Sequence, residues 1–187
     1  FAMDENYEPT PVLAESYEVS DDGMTYTIKL RQGVKFHNGE EMTADDVVAS
    51  MNRWIETSPK ANTLIGGSTF EKVDDYTVNL KVNQASSDII MILASPIKFY
   101  AIYPAEVVES AGADGISEYI GTGPYKVSEW KQDQYVKLEK NEDYQPSKDA
   151  STGIAGEKKA ATETLYFDVV TDAATRIAGL QNGQYDI

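Results

Sequence analysis

The sequence predicts an α+β lobe rich in β-hairpins over residues 1–163, followed over residues 164–187 by the start of an α/β lobe. Three observations predict it. Runs with a two-residue apolar period come in pairs about turn signals such as Asp22-Gly23, Asn38-Gly39 and Asp74-Asp75. Between them, Thr43 to Ile55 carries apolar residues at helical spacing behind a capping signal. The last residues change habit, to a continuous apolar run, a helical stretch and a further strand.

In chain order, Phe1 to Thr10 is polar, contains Pro9 and has no period, which predicts an extended or frayed lead-in. Tyr17 and Val19 alternate up to Asp21-Asp22-Gly23, a turn that joins this short strand to Thr25–Arg31. There Tyr26, Ile28 and Leu30 face one way and Thr25, Thr27, Lys29 and Arg31 the other. Val34 and Phe36 continue the alternation into the Asn38-Gly39 turn. Thr43, with Asp46 three residues on, resembles a capping box whose hydroxyl accepts from a first-turn amide. Val47, Val48, Met51, Trp54 and Ile55 then form one helical stripe.

Ser58-Pro59-Lys60 and Gly66-Gly67 read as an irregular connection, and Phe70–Val73 with Tyr76–Val82 as a second hairpin. Ser86 or Ser87 can cap a short apolar helix through Leu93, and Pro104 opens another over Ala105–Ser110 that stops at Gly112. Ile116 to Ile120 has no readable preference. Tyr125–Glu129 and Tyr135–Lys140 pair across Lys131–Gln134, and Asp143–Ala161 reads as a solvated loop. Leu165–Val170 has the composition of a strand covered on both faces. Thr171 or Asp172 caps a helix bearing Ala173, Ile177 and Leu180, Asn182-Gly183 stops it, and Tyr185–Ile187 begins another strand. The boundary between the two lobes is expected near Glu163.

A net charge of −15 on 187 residues argues against a nucleic-acid surface, where a basic stripe supplies most of the affinity. Solubility and self-repulsion explain the acidity without a cationic partner. With no cysteine, the chain has no disulfide, thiolate nucleophile or cysteine metal cluster. The apolar run Ile89–Ala94 is far too short to cross a bilayer.

Leu13 to Trp54, LAESYEVSDDGMTYTIKLRQGVKFHNGEEMTADDVVASMNRW, resembles the signature region of extracellular solute-binding proteins serving peptide, nickel and related ABC importers. Gly121-Thr122-Gly123-Pro124-Tyr125 and the closing TLYFDVVTDAATRIAGLQNGQYDI extend the likeness in the family's order. The resemblance implies part of a periplasmic-binding-protein-like fold of type II, the peptide-binding class. It implies a C-terminal lobe beyond Ile187, an export leader before Phe1, hinge closure around a solute, and a membrane permease as partner. A monomer outside the cell, as a surface lipoprotein or in a periplasm, follows from the same likeness.

His37 is the only histidine and lacks the His or Cys partners that a metal or haem site needs; beside a turn it is expected to be solvated. Asp45-Asp46, Asp74-Asp75 and Glu142-Asp143 are adjacent acids that helix dipoles and Asx turns account for, although a hydrolase pair from separate elements stays possible on sequence alone. Gly121–Tyr125 lacks the Gly-Lys-Ser/Thr ending of a phosphate loop and reads as a tight turn with glycine at positive φ. No serine has a recognisable base beside it. Trp54 and Trp130 read as packing residues.

The segment Ala94–Tyr103 is the most apolar and aromatic connection, interrupted by Pro96. Core or interlobe packing explains most of it. Relatives of the resembled family place the equivalent stretch near the ligand cleft, so Ile97, Lys98 and Tyr100 are the ligand-contact candidates, with Thr122 a further one. The expectation is a substrate-binding component that captures an oligopeptide or dipeptide, without catalysis, metal or cofactor. A carboxylate-dependent hydrolase and a standalone partner-binding module are the alternatives.

Overall fold

The computed structural model describes residues 1–97, 100–112 and 115–187. Its centre is a four-stranded antiparallel sheet made from two hairpins, with strand order β3-β4-β6-β5. Strands β3 (Ala14–Val19) and β4 (Thr25–Leu30) turn at Gly23, which takes φ +68°. Strands β5 (Thr69–Asp74) and β6 (Thr77–Lys81) turn at Asp74-Asp75, where the Asp74 carboxylate accepts the Tyr76 amide at 2.9 Å. The hairpins join through β4 and β6, with Tyr26 opposite Leu80 and Ile28 opposite Val78.

Helix α1 (Ala44–Thr57) covers this sheet with Val47, Met51, Trp54 and Ile55. The inward residues of both layers are almost wholly removed from water: Val78 and Leu80 are 0% exposed and Phe36 1%. Burying each such side chain contributes about 1.5–3 kcal/mol, so this layer pair dominates the lobe's stability. At the start of α1 the Asp46 carboxylate accepts the Thr43 amide at 2.7 Å and the Thr43 hydroxyl at 3.1 Å. Both arms of the capping box are present, and the Thr43 hydroxyl also donates to the carboxylate.

Several sequence expectations need correcting. Pro59–Ile65 is a helix, α2, not an irregular connection. Ser58 caps it by accepting the Ala61 amide, and Pro59 needs no donor in the first turn. The lead-in is a small hairpin of β1 (Ala2–Met3) and β2 (Pro9–Thr10), closed by Asp4, whose carboxylate accepts the amides of Asn6 and Glu8 at 2.8 Å each. Val34–Phe36 forms only an isolated Lys35–Glu41 bridge around the Asn38-Gly39 turn.

The short helices α3 (Ile89–Ala94) and α4 (Ala105–Ser110) lie where the sequence puts them, although Asp88 rather than a serine occupies the N-cap of α3. A second sheet has the order β7 (Tyr125–Lys131), β8 (Tyr135–Lys140), β9 (Thr164–Asp168), all antiparallel. Strand β9 therefore extends the β7–β8 hairpin across residue 163, and it is not covered on both faces: Tyr166 and Phe167 are 58% and 59% exposed. Helix α5 (Ala173–Gln181) is capped by Asp172, whose carboxylate accepts the Thr175 amide at 2.7 Å. No strand follows at Tyr185–Ile187. The segment read as a solvated loop is partly folded in, with Ala155 0% exposed and the Ile154 amide bonded to the Met3 carbonyl at 3.0 Å.

Candidate functional site

Two connections carry the candidate contact residues, and polar side chains of the first hairpin layer hold both by their backbones. The first runs from the end of α3 to α4. Ile97 is 69% exposed at its start, while Lys98 lies outside the described residues. Tyr100 is half-buried against the core, its ring 5.1 Å from that of Trp54 at an interplanar angle of 52°. The Tyr100 hydroxyl donates to the Leu93 carbonyl, and burial pushes its pKa upward, so the phenol stays protonated and the hydroxyl is committed to that bond.

Beyond Tyr100 the backbone is fixed by α1. The Tyr103 amide donates to the Ser50 hydroxyl oxygen at 2.9 Å, and that hydroxyl donates to the Tyr103 carbonyl at 3.3 Å. The Ala105 amide donates to Asp46 at 2.8 Å. Asp46, Ser50 and Trp54 stand four residues apart, one stripe down the same helix face. All three are buried, Asp46 at 8% exposure. The sequence places Asp46 at the helix start and offers Ser50 only as a serine without a neighbouring base; polar residues at this spacing, in line with a buried tryptophan, are the available signal. Arg53 holds the far end of α4 through the carbonyls of Ala111 and Gly112, at 3.3 and 3.1 Å.

The second connection is Gly121–Pro124, which enters β7. Thr122 sits half-buried in it between two glycines. Neither glycine takes a positive φ, contrary to the reading of a glycine-demanding turn. What shapes the loop is His37. Its amide donates to the Gly121 carbonyl at 2.8 Å, its Nδ1 accepts the Gly121 amide at 3.2 Å, and its Nε2 lies 3.1 Å from the Gly123 carbonyl. Asn141, itself buried, adds a donor to Gly123 at 3.2 Å, and its amide bonds the Pro124 carbonyl at 2.9 Å. The expectation of a solvated histidine is corrected accordingly: the ring is half-buried and every polar atom of it has a backbone partner.

Half-burial, with Lys126 nearby, pulls the His37 pKa below its ordinary 6.5, outweighing the carbonyls of Gly123 and Tyr119. Ile97 and Tyr100 share one connection, whereas Thr122 lies on the other; no hydrogen bond joins Thr122 to either among the described residues. Two open grooves have other walls. One of about 620 Å³ is lined by Tyr17, Tyr26, Ile90 and Met91, and one of about 460 Å³ by Asn62, Ser68, Asn83 and Gln84.

The acidic pairs are occupied structurally. Lys72 bonds Asp45 and Asp75 at 2.8 Å each, Asp74 accepts the Tyr76 amide, and Glu142 lies 3.4 Å from the Lys140 ammonium. Among the described residues no group of three or more His, Asp or Glu side chains is arranged to hold a metal. Trp54 packs as expected at 7% exposure, but Trp130 is 54% exposed, with the Tyr119 ring 5.0 Å away.

A family model described as bacterial extracellular solute-binding proteins, family 5 Middle, matches residues 8–187. The glutathione-binding protein GsiB of Salmonella paratyphi A is 36% identical over 187 residues, covering 98% of this chain and 34% of GsiB. NikA from Brucella suis, solved in complex with Fe(III)-EDTA, superposes with a TM-score of 0.84 at 31% identity, over 99% of this chain and 36% of NikA. The oligopeptide-binding protein AppA of Bacillus subtilis, solved with a nonapeptide, gives a TM-score of 0.78 at 30% identity, over 98% of this chain and 36% of AppA. This chain thus spans about a third of the length of these relatives and has the fold of the corresponding part of type II periplasmic binding proteins. It belongs to family 5 of the bacterial extracellular solute-binding proteins.

Proposed function

We propose that the complete protein carrying this chain is the solute-capturing component of an ABC importer, and that its solute is a short peptide. The single observation carrying this is the family match over residues 8–187, and the peptide class is supported by GsiB, whose glutathione is a tripeptide, and by AppA with its nonapeptide. Ile97, Lys98, Tyr100 and Thr122 are this lobe's contribution to one wall of the cleft. Tyr100 offers a ring whose hydroxyl is already committed, and Thr122 a hydroxyl on a pinned loop. The protein acts outside the cell, as a surface lipoprotein or in a periplasm, hands its solute to a permease, and works as a monomer without cofactor or bond-breaking. A division near residue 163 separates the hairpin-rich lobe from an α/β part, with the β8–β9 pairing crossing it.

Affinity requires both walls of a cleft, because a ligand left half in water keeps most of its hydration. The test is calorimetry of the complete protein against dipeptides, oligopeptides, nickel chelates and glycans, with mass spectrometry of the recovered ligand. Peptide binding near about 1 μM with the peptide recovered intact is the expected result. Binding confined to chelates or glycans overturns the peptide assignment, and cleaved peptide overturns the transport reading. Residues 1–187 alone are expected to bind at least about a hundredfold more weakly.

A further inference from the structure

We propose that His37 is an acid-sensitive clasp, a positioning residue whose ring helps fix the Gly121–Gly123 loop at neutral pH and gives up its bond to the Gly121 amide when it gains a proton. The bonds define a single protonation state. A backbone amide can only donate, so the Gly121 contact at 3.2 Å requires a bare Nδ1. A carbonyl can only accept, so the Gly123 contact at 3.1 Å requires the hydrogen on Nε2. Only the neutral Nε2–H tautomer satisfies both.

Adding a proton to Nδ1 sets two donors against each other at Gly121 and breaks that bond. The charged ring keeps its Nε2–H bond to Gly123, and the Tyr119 carbonyl favours that charged form. The groups facing the ring are this carbonyl, the Gly121 and Gly123 backbones and the Lys126 ammonium; the ammonium opposes protonation, and no carboxylate is bonded to the ring among the described residues. The release is one-sided. Asn141 donates to the same Gly123 carbonyl at 3.2 Å and bonds Pro124 at 2.9 Å, so the β7 end of the loop keeps its anchor.

The placement gives the clasp its reach. Residue 37 belongs to the Asn38-Gly39 turn of the first layer, whereas Gly121–Gly123 is the entry to the second sheet. Arg31, just past β4, makes the neighbouring link to the carbonyls of Gln145 and Pro146 at 3.0 Å each. Acidification therefore removes the ring's bond to the Gly121 amide, while the His37 amide's bond to the Gly121 carbonyl at 2.8 Å and the Arg31 link remain. Since Thr122 lies between the two glycines, solute affinity falls with the clasp; that part rests on the reading of Thr122 as a ligand contact.

Hydrogen exchange by mass spectrometry on the complete protein tests this, with rates corrected for the intrinsic pH dependence. Between about pH 7.5 and about pH 5, exchange of the 119–125 segment rises about tenfold while that of 139–145 holds. His37→Asn, which keeps an acceptor near the Nδ1 position but does not titrate, shows no such rise. An unchanged 119–125 segment in the unaltered protein, or the same rise in His37→Asn, overturns the clasp. Should that variant misfold, nitrogen spectra of the histidine-labelled natural protein decide: a bare Nδ1 on His37 at neutral pH supports the clasp, and an Nδ1–H tautomer overturns it. Calorimetry at both pH values separates the readings. Loosening accompanied by weaker solute binding supports both, whereas loosening at unchanged affinity overturns the Thr122 contact and leaves the clasp standing.

Discussion

Asp46→Ala tests the claim that α1 positions the first candidate loop. The carboxylate is 8% exposed and receives three donors: the Thr43 amide at 2.7 Å, the Thr43 hydroxyl at 3.1 Å and the Ala105 amide at 2.8 Å. A hydrogen bond to a charged acceptor contributes about 1.5–3 kcal/mol, and a buried donor left without a partner costs about 1–3 kcal/mol. Thr43 and Ala105 are both half-buried, so water recovers part of the loss at each, and the Ala105 bond is the one that opens α4. We expect α4 to lose about 3 kcal/mol of local stability. Exchange of residues 105–110 then speeds up by about a hundredfold at constant pH. Asp45→Ala is the matched control: its side chain is 61% exposed and its partner Lys72 keeps Asp75, so exchange of the same segment stays at the natural rate. A change under about 0.5 kcal/mol in Asp46→Ala, or equal effects in the two variants, would refute the positioning argument.

Leu80→Ala removes a fully buried side chain from the central strand pair and should cost about 3–4 kcal/mol, read as a lower midpoint in urea. Gly153→Ala should be worse tolerated than Gly33→Ala in thermal melts, although both have positive φ. A Cβ on Gly153 meets the Asp4 oxygen and Glu5 nitrogen at 2.6 and 2.7 Å, whereas nothing lies within 4 Å of one on Gly33. For His37 the folded pKa lies below the unfolded 6.5, so the unfolded chain takes up the proton first. Its contribution is full above pH 6.5 and is lost as pH falls toward the folded value; His37→Asn should flatten that part of a stability–pH curve. Phe167→Ser should reduce self-association of residues 1–187, measured by light scattering, because the ring is 59% exposed beside Tyr166.

The first layer was legible because its local signals agree. Asp22-Gly23, Asp74-Asp75 and the Val47–Ile55 stripe each name one structure, and the contacts between them only reinforce it. Pro59–Ile65 looks irregular in the sequence because Ser58-Pro59 and Gly66-Gly67 are both breaker signals, yet Ser58-Pro59 is equally a cap and a first-turn proline in succession. Period analysis gave Leu165–Val170 the look of a covered strand, yet periodicity cannot tell which partner covers a face, and the pairing with β8 leaves Tyr166 and Phe167 open. Of the candidate residues, Ile97, Lys98 and Tyr100 came from resemblance, and Thr122 from its place in the Gly121–Tyr125 loop. Their anchors were hidden because each acts at long range: Ser50 on Tyr103, His37 on Gly121 and Gly123, Asn141 on Gly123.

Those anchors share a chemical habit that bears on how one scaffold can serve different solutes. Asp46, Ser50, Arg53, His37 and Asn141 all reach main-chain atoms of the two candidate connections, at Ala105, Tyr103, Ala111, Gly121 and Gly123 among others. A backbone amide or carbonyl is present whatever side chain the residue bears, so the loops are held in place without constraint on most of their sequence. Ile97, at 69% exposure, and Thr122, with its neighbours' backbones pinned, are thereby left free to change. Relatives with this fold bind ligands as unlike as glutathione, Fe(III)-EDTA and a nonapeptide. Fixing loops by their backbones makes such divergence inexpensive: exchanging an exposed loop side chain costs little stability, while exchanging an anchor such as Asp46 leaves half-buried donors without their partner. Under the proposed reading of Ile97 and Thr122 as cleft residues, specificity changes there without disturbing the helix stripe or the histidine.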